Sequence, residues 1–186
     1  MAYQIVSFLL DVAAGLLAGA CLLRLYMQYQ RIGFGNPVGR FVFALTSWLV
    51  LPLRKLLPAL GRVDTASLVA AFLFELAQFS VLWLLFGRAG GYAAVPVLAL
   101  FGLLRLAITG VMGLVIVYAI LSWVNADSPI VDVIDRLCAP LLRPWRKLIP
   151  LVGGFDLSPL ALLAALYIAN IVLAYLQAAA LAQIGV

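Results

Sequence analysis

The sequence predicts an all-α membrane protein, with four transmembrane helices arranged as two parallel tandem helical hairpins, each carrying a cytoplasmic amphipathic interfacial helix. Three observations predict it. Of 186 residues, 67% are hydrophobic and only 10% charged, and the mean hydropathy is +1.19, far from the composition of soluble domains. A bilayer core about 30 Å thick takes about 20 apolar helical residues, so the chain has room for roughly four crossings. The chain also matches itself at an offset of 92 residues, which divides the crossings between two like halves.

The same composition excludes a large catalytic domain. The chain contains no His, so imidazole-ligated metal, His-ligated haem and His-based acid–base chemistry are excluded within it. Cys21 and Cys138 stand apart and outside any metal-spaced cluster; each reads as a small apolar filler. No cofactor is expected, and the chain reads as a non-enzyme.

The self-match needs no gaps. Sliding residues 36–64 onto 128–156 superposes Pro37 on Pro129, Leu45 on Leu137, Leu49 on Leu141 and Pro52 on Pro144. It continues with Arg54 on Arg146, Lys55 on Lys147, Leu56 on Leu148, Pro58 on Pro150, Gly61 on Gly153 and Asp64 on Asp156, making 10 identities in 29 positions. Matches in Pro, Gly, Arg, Lys and Asp, all uncommon in this chain, point to a tandem duplication, with halves at residues 1–91 and 92–186.

The first span is expected at residues 5–23. No Lys or Arg occurs before Arg24, so the segment lacks the basic region of a cleaved secretory signal and should persist as a span. Gly15 and Gly19 give it a GxxxG face, a weak signal for close helix approach. Next comes an interfacial helix at residues 37–51, where Asn36 can cap and Pro37 suits the first helical position. Its apolar stripe is Val38, Phe41, Val42, Leu45 and Leu49, with Arg40 and Ser47 opposite. Pro52 and Pro58 then bracket Arg54 and Lys55, and each proline should redirect the chain. Gly61 offers a turn, Asp64 can cap, and the second span fills residues 65–86.

The second half repeats the plan. Residues 92–100, around Pro96, read as an interfacial lead-in to a span at 103–124. Ser128-Pro129 opens an interfacial helix at 129–142 with the stripe Ile130, Val133, Ile134, Leu137, Cys138 and Leu141, opposite Asp132, Asp135 and Arg136. Such a stripe suits a helix whose apolar face lies among the upper acyl chains; packing onto the bundle is the alternative. Pro144 and Pro150 bracket Trp145, Arg146 and Lys147, Gly153 offers the turn, Asp156 can cap, and the last span fills 159–181.

Two spans per half return the chain to the same side, so both halves enter the membrane in one direction, as a parallel repeat. Of 12 Lys and Arg residues, ten lie in or beside the two connectors. The positive-inside rule places both connectors in the cytoplasm and leaves both termini, with the loop around Arg88, outside. Arg54, Lys55, Arg146 and Lys147, beside Trp145, read as a lipid-interface anchor: the cations snorkel to headgroups while their apolar neighbours stay shallowly buried. Attraction to anionic lipid is worth roughly 1 kcal/mol per basic residue. The aliphatic interleaving argues against nucleic acid as a partner.

The paired segments NPVGRFVFALTSWLVLPLRKLLPALGRVD and SPIVDVIDRLCAPLLRPWRKLIPLVGGFDLSP, preceded by LLRLYMQY and AILSW, resemble the two copies of the YggT family, also called YlmG. The motif is NP or SP, then PLxxPxRKxxP, then GGxD. The first copy departs from it, with Ser47-Trp48 where the second has Ala139-Pro140, and Arg62 where the second has Gly154. The resemblance covers nearly the whole chain and implies a small multi-pass protein of the bacterial inner membrane with relatives in plastids. Members have been connected with osmotic or ion homeostasis, with division and nucleoid distribution, and with haem attachment to a chloroplast cytochrome. It implies no molecular activity, and the lack of His weakens a haem-handling reading.

Intramembrane polar groups are the remaining functional candidates. Glu75 lies about 15 Å into its span with Gln78 one turn on, and the 92-residue offset maps them onto Tyr167 and Asn170. These four are expected to face one another as a polar seam, read either as interhelical hydrogen bonds of roughly 1 kcal/mol each or as the lining of an ion path. Asp11 and Arg105 fall at similar depth and are expected to pair. The leading reading is a structural or assembly module acting through anionic lipid and either self-association or a membrane-protein partner. The competing one is an ion-transport or channel subunit.

Overall fold

The computed structural model describes residues 1–87, 92–124, 128–148 and 156–183. Six helices follow in order: α1 (Ala2–Tyr29), α2 (Pro37–Leu56), α3 (Thr65–Phe86), α4 (Ala94–Val124), α5 (Pro129–Leu148) and α6 (Ser158–Gln183). Among the described residues no strand accompanies them. Four of the helices, α1, α3, α4 and α6, are long and apolar enough to cross a membrane. The turns around Arg88 and Gly153, and Pro150, lie outside the described residues.

Local chemistry sets the boundaries. The Asn36 side chain accepts from the Gly39 amide at 2.7 Å and Pro37 takes the first helical position, where its missing donor costs nothing. Asp64 caps α3, and Gly87 ends it in the left-handed region at φ 53°, a conformation open to a residue without Cβ.

Among the spans, α1 and α4 run well past their expected bounds. α1 continues past residue 23 to Tyr29 because Gly33 is the first breaker downstream, so Arg24 belongs to the helix and not to the connector. α4 begins at Ala94, so the expected lead-in is largely continuous with the span. Pro96 sits in its first turn, where amide donors lack intrahelical partners in any case.

Two of the connector prolines, Pro52 and Pro144, do not redirect the chain as expected, whereas Pro58 follows directly on the end of α2. α2 runs through Pro52 to Leu56, and α5 through Pro140 and Pro144 to Leu148. All three prolines are exposed on the outward face. A helix that bends convex toward its outward side can relieve the ring's clash with the preceding turn, while Val50 and Leu142 opposite stay buried.

α3 packs on α1 and α4, and α4 packs on α6; α2 lies across α1 and α3, α5 across α4 and α6, and α2 meets α5. One core cluster joins α1, α2, α3 and α4 through Ala18, Cys21, Val50, Ala66, Ala70, Ala71 and Leu103. Its alanines let backbones approach closely, the usual device where lipid offers no hydrophobic drive for helix association. A second cluster holds α5 to α4 and α6 through Val115, Ile134, Cys138, Leu142 and Leu162. A third joins the halves, with Met27 and Ile32 against Val133 and Leu137, and there the Tyr26 hydroxyl donates to the Leu137 carbonyl at 2.8 Å. The GxxxG face is not the contact, because a Cβ at Gly15 or Gly19 would meet nothing within 4 Å.

Gly39 has a different requirement. A Cβ there would lie 2.6 Å from the Phe34 Cα, a backbone atom that cannot swing aside. Gly39→Ala is therefore expected to lower stability by about 1–2 kcal/mol, read from SDS titration in mixed micelles, whereas Gly15→Ala should leave the midpoint unchanged. The residue 92 positions after Gly39 is Val131, so the glycine that this close turn requires has no counterpart in the second half.

Candidate functional site

Charge gathers where the connectors meet the spans. Asp64 is 0% exposed and Arg24 1%. The Asp64 carboxylate accepts from Arg54 Nη2 at 2.5 Å and from the Ser67 hydroxyl at 2.7 Å, and lies 3.9 Å from Arg24 Nε. Arg24 Nη1 donates to Thr46 Oγ1 at 2.8 Å, and its guanidinium stacks 4.7 Å from the Phe43 ring centroid, a further favourable contact for a desolvated cation. Arg54 also donates to Gln28 Oε1 at 2.9 Å. Two guanidiniums share one carboxylate here, and Nε of each is buried without a hydrogen-bond partner.

The second half builds a simpler version. Arg146 Nε donates to Asp156 Oδ2 at 2.9 Å, and Arg146 Nη2 donates to the Tyr118 hydroxyl at 2.6 Å. Ile116 stands 92 positions after Arg24, and Cys138 92 positions after Thr46, so no second arginine is buried there. Burial alone would raise the Asp156 carboxyl, but hydrogen bonds from Ser158 and from Arg146 outweigh it and hold it below the ordinary carboxylate value. Burial likewise opposes the Arg146 charge, and Asp156 and Tyr118 overcome it. A carboxyl depressed on folding stabilises above its unfolded value, about 4, and loses that contribution as pH falls through the folded value; this clamp is complete at neutral pH.

Both expected caps are thus also ion-pair acceptors, and Arg54 and Arg146, expected to reach for headgroups, turn inward to them. Lys55 and Lys147 stay exposed. Trp145 packs against the cluster around Cys138 and Leu142. Residue reading did not single out Arg24, Thr46, Gln28 or Tyr118. A signal was present for the pairing: in each half an arginine precedes an aspartate by 10 residues.

The intramembrane groups arrange differently from the expected seam. Glu75 and Gln78 are buried, and Gln78 Nε2 donates to Asp11 of α1. A Cβ on Gly102 of α4 would overlap the Glu75 carboxyl. Tyr167, by contrast, is 62% exposed, and Asn170 donates to Met112 Sδ at 3.8 Å. The first pair faces α1 and α4 and the second lies on α6, so the four do not meet. Asp11 and Arg105 do not pair either: Asp11 accepts from Gln78, and Arg105 Nη2 donates to Gln177 Oε1 at 2.8 Å. α1 packs most closely on α3 and α4 on α6, so each charge finds its amide on its own neighbour.

The connector helices differ outward. On α2 the predicted stripe splits: Val42 is buried and Phe41 exposed, with Val38, Leu45 and Leu49 between; outside the stripe Thr46 and Val50 are buried, and Trp48 and Leu51 are exposed. On α5 most of the stripe is spent on the bundle, with Val133, Ile134, Leu137 and Cys138 buried beside Leu142. Its exposed side carries Asp132, Asp135, Arg136, Arg143 and Lys147. α5 therefore takes the packing alternative.

The family model described as CCB3/YggT matches residues 3–85 and 97–177. The chain is 38% identical over 170 residues to "Uncharacterized protein YggT" of Escherichia coli (strain K12), covering 88% of this chain and 86% of that protein. It is 34% identical over 167 residues to "Uncharacterized protein in proC 3'region" of Vibrio alginolyticus, covering 88% and 90%. A Haemophilus influenzae protein is 32% identical over 155 residues, covering 80% of each chain. No solved structure matches.

Proposed function

The chain belongs to the CCB3/YggT family, and from that premise we propose that it is a non-enzymatic assembly module of the bacterial inner membrane. It acts through lipid and protein contacts in envelope, division or osmotic-stress physiology. One observation carries the reading. In each half an arginine at the end of the connector helix is clamped to an aspartate 10 residues on, at the start of the next span. A fixed elbow holds the connector helix against the spans and turns its remaining side outward, apolar on α2 and charged on α5. In this reading the halves are parallel tandem hairpins, both elbows lie on the cytoplasmic surface with both termini outside, and the outward faces meet anionic lipid and a membrane-protein partner or a second copy.

Cysteine labelling tests the arrangement. Cys21 and Cys138 are both buried, and burial pushes the Cys138 thiol up to about 12, so the native background is expected to be silent to maleimide. Ala59→Cys and Arg136→Cys, both at exposed positions, should label with an impermeant maleimide in inverted membrane vesicles and not in intact spheroplasts. Labelling from opposite sides would overturn the parallel arrangement. Crosslinking in native membranes should then capture discrete products through α2 or α5; products confined to the span faces would remove the assembly role from the connectors.

A second reading, ion or proton conduction, is favoured by the buried Glu75 carboxyl where α3 meets α4. Ion flux in vesicles carrying the wild-type chain, abolished by Glu75→Gln, would establish it. Vesicles without flux leave the assembly module.

A further inference from the structure

The outward side of α5 holds a feature that α2 lacks. Near its C-terminal end Ala139, Pro140, Arg143, Arg146 and Lys147 line an open cavity of about 470 Å³. We infer that this notch binds the phosphate of one anionic lipid headgroup, with Arg143 and Lys147 as the ligating cations and Arg146 as the fixed charge at its side. The inference rests on the reading of the connectors as membrane-surface elements and gives that reading a definite ligand.

Shape is the first argument. Ala139 and Pro140 are short, so no side chain fills the space between the cations. In the first half the corresponding positions are Ser47, Trp48 and Leu51, and the Trp48 ring lies there against Phe74, with centroids 5.9 Å apart. Only Lys55 remains there as an outward cation, because Arg54 is tied to Asp64 and Gln28. Among the described residues the first half therefore has no matching notch, and this one lies at residues that depart from internal repetition.

Charge is the second. Arg146 spends Nε on Asp156 and Nη2 on Tyr118, which fixes its place at the edge. Arg143 and Lys147 are exposed and have no ion-pair partner among the described residues. The acidic residues of the same face, Asp132 and Asp135, lie on the N-terminal side of the cavity; Asp135 is about 12 Å of helical rise from Arg143. Asp156 offsets Arg146, leaving two uncompensated cations at the cavity. A guanidinium fork beside an ammonium suits the several acceptor oxygens of a phosphate. Leu148, 75% exposed immediately after Lys147, places an apolar group beside the cations, which suits a lipid better than a dissolved phosphate. Basic pockets beside membrane helices are known receivers of lipid headgroups.

The test measures lipid selectivity of the full chain in vesicles of phosphatidylcholine containing a minor fraction of spin-labelled phosphatidylglycerol. The wild type should hold the anionic lipid in preference to spin-labelled phosphatidylcholine. The double variant Arg143→Ala, Lys147→Ala should lose on the order of tenfold of that preference, since each surface cation contributes severalfold. Both positions are exposed, so an unchanged unfolding midpoint is expected and certifies the fold. Lys55→Ala should change the preference less than about twofold. Glycerol 1-phosphate at millimolar concentration should not displace the lipid; displacement would make the notch a site for soluble phosphate and overturn the lipid assignment. Undiminished preference in the double variant would overturn the notch while leaving the membrane-surface reading of the connectors. No preference in the wild type would remove both.

Discussion

Asp64→Asn should destabilise the protein by about 3–5 kcal/mol, the usual cost of removing one partner from a buried ion pair, while Asp156→Asn should cost about 1 kcal/mol or less. The two residues occupy equivalent sequence positions 92 apart, and chemistry separates them. Asp64 is fully buried and answers both Arg24 and Arg54; the amide keeps much of its shape and cap but leaves two guanidiniums facing each other without an anion. Asp156 answers one arginine, and that pair is substantially open to solvent, where screening and side-chain entropy reduce the gain. SDS titration of each variant in mixed micelles reads the difference. Adding Arg24→Met to Asp64→Asn should recover a substantial part of the loss, because Arg54 retains a partly exposed path for its charge. Equal costs at the two aspartates would show that capping, and not charge, governs both.

That contrast also marks how far the sequence could be read. Helix starts were legible wherever a short-range rule applied, as at Asn36-Pro37 and Asp64. The crossings were legible from hydropathy, and the family from motifs that occur twice. Helix ends were harder: Pro52 and Pro144 looked like breaks because propensity weighs the missing donor, whereas burial of the opposite face keeps each helix running. The site was half legible. Arg54, Asp64, Arg146 and Asp156 were all singled out, but as anchors and caps, because pairing over 10 residues depends on a turn geometry that no local pattern specifies. Arg24 escaped because it was read as the border of a span six residues too short. The seam of Glu75, Gln78, Tyr167 and Asn170 failed for another reason. Sequence offset gives equivalent depth along a helix but says nothing about which neighbour each helix turns toward.

Gly102→Leu is expected to lower stability by about 3 kcal/mol, the upper range for overpacking a close helix contact. A Cβ at this position of α4 would overlap the Glu75 carboxyl and lie 3.0 Å from Phe79 Cε2, so a branched side chain must push α3 away or force Glu75 off its rotamer. α3 is also bonded to α1 through Gln78 and Asp11, which limits how far it can yield. Second-site changes then separate volume from charge. Glu75→Ala in the Gly102→Leu background removes the obstructing group and should restore much of the loss. Glu75→Gln keeps nearly the same volume and should restore little. If the amide rescued as well as alanine, the cost would lie in a buried carboxyl pressed by a new apolar neighbour, and the junction would be electrostatic at its centre. Recovery confined to alanine makes Gly102 the steric key to the joint between the halves, because the residue 92 positions earlier, Leu10, keeps its side chain. Glu75→Gln alone can then be used in flux measurements as a folded variant, so that a lost current reports the carboxyl and not a collapsed bundle.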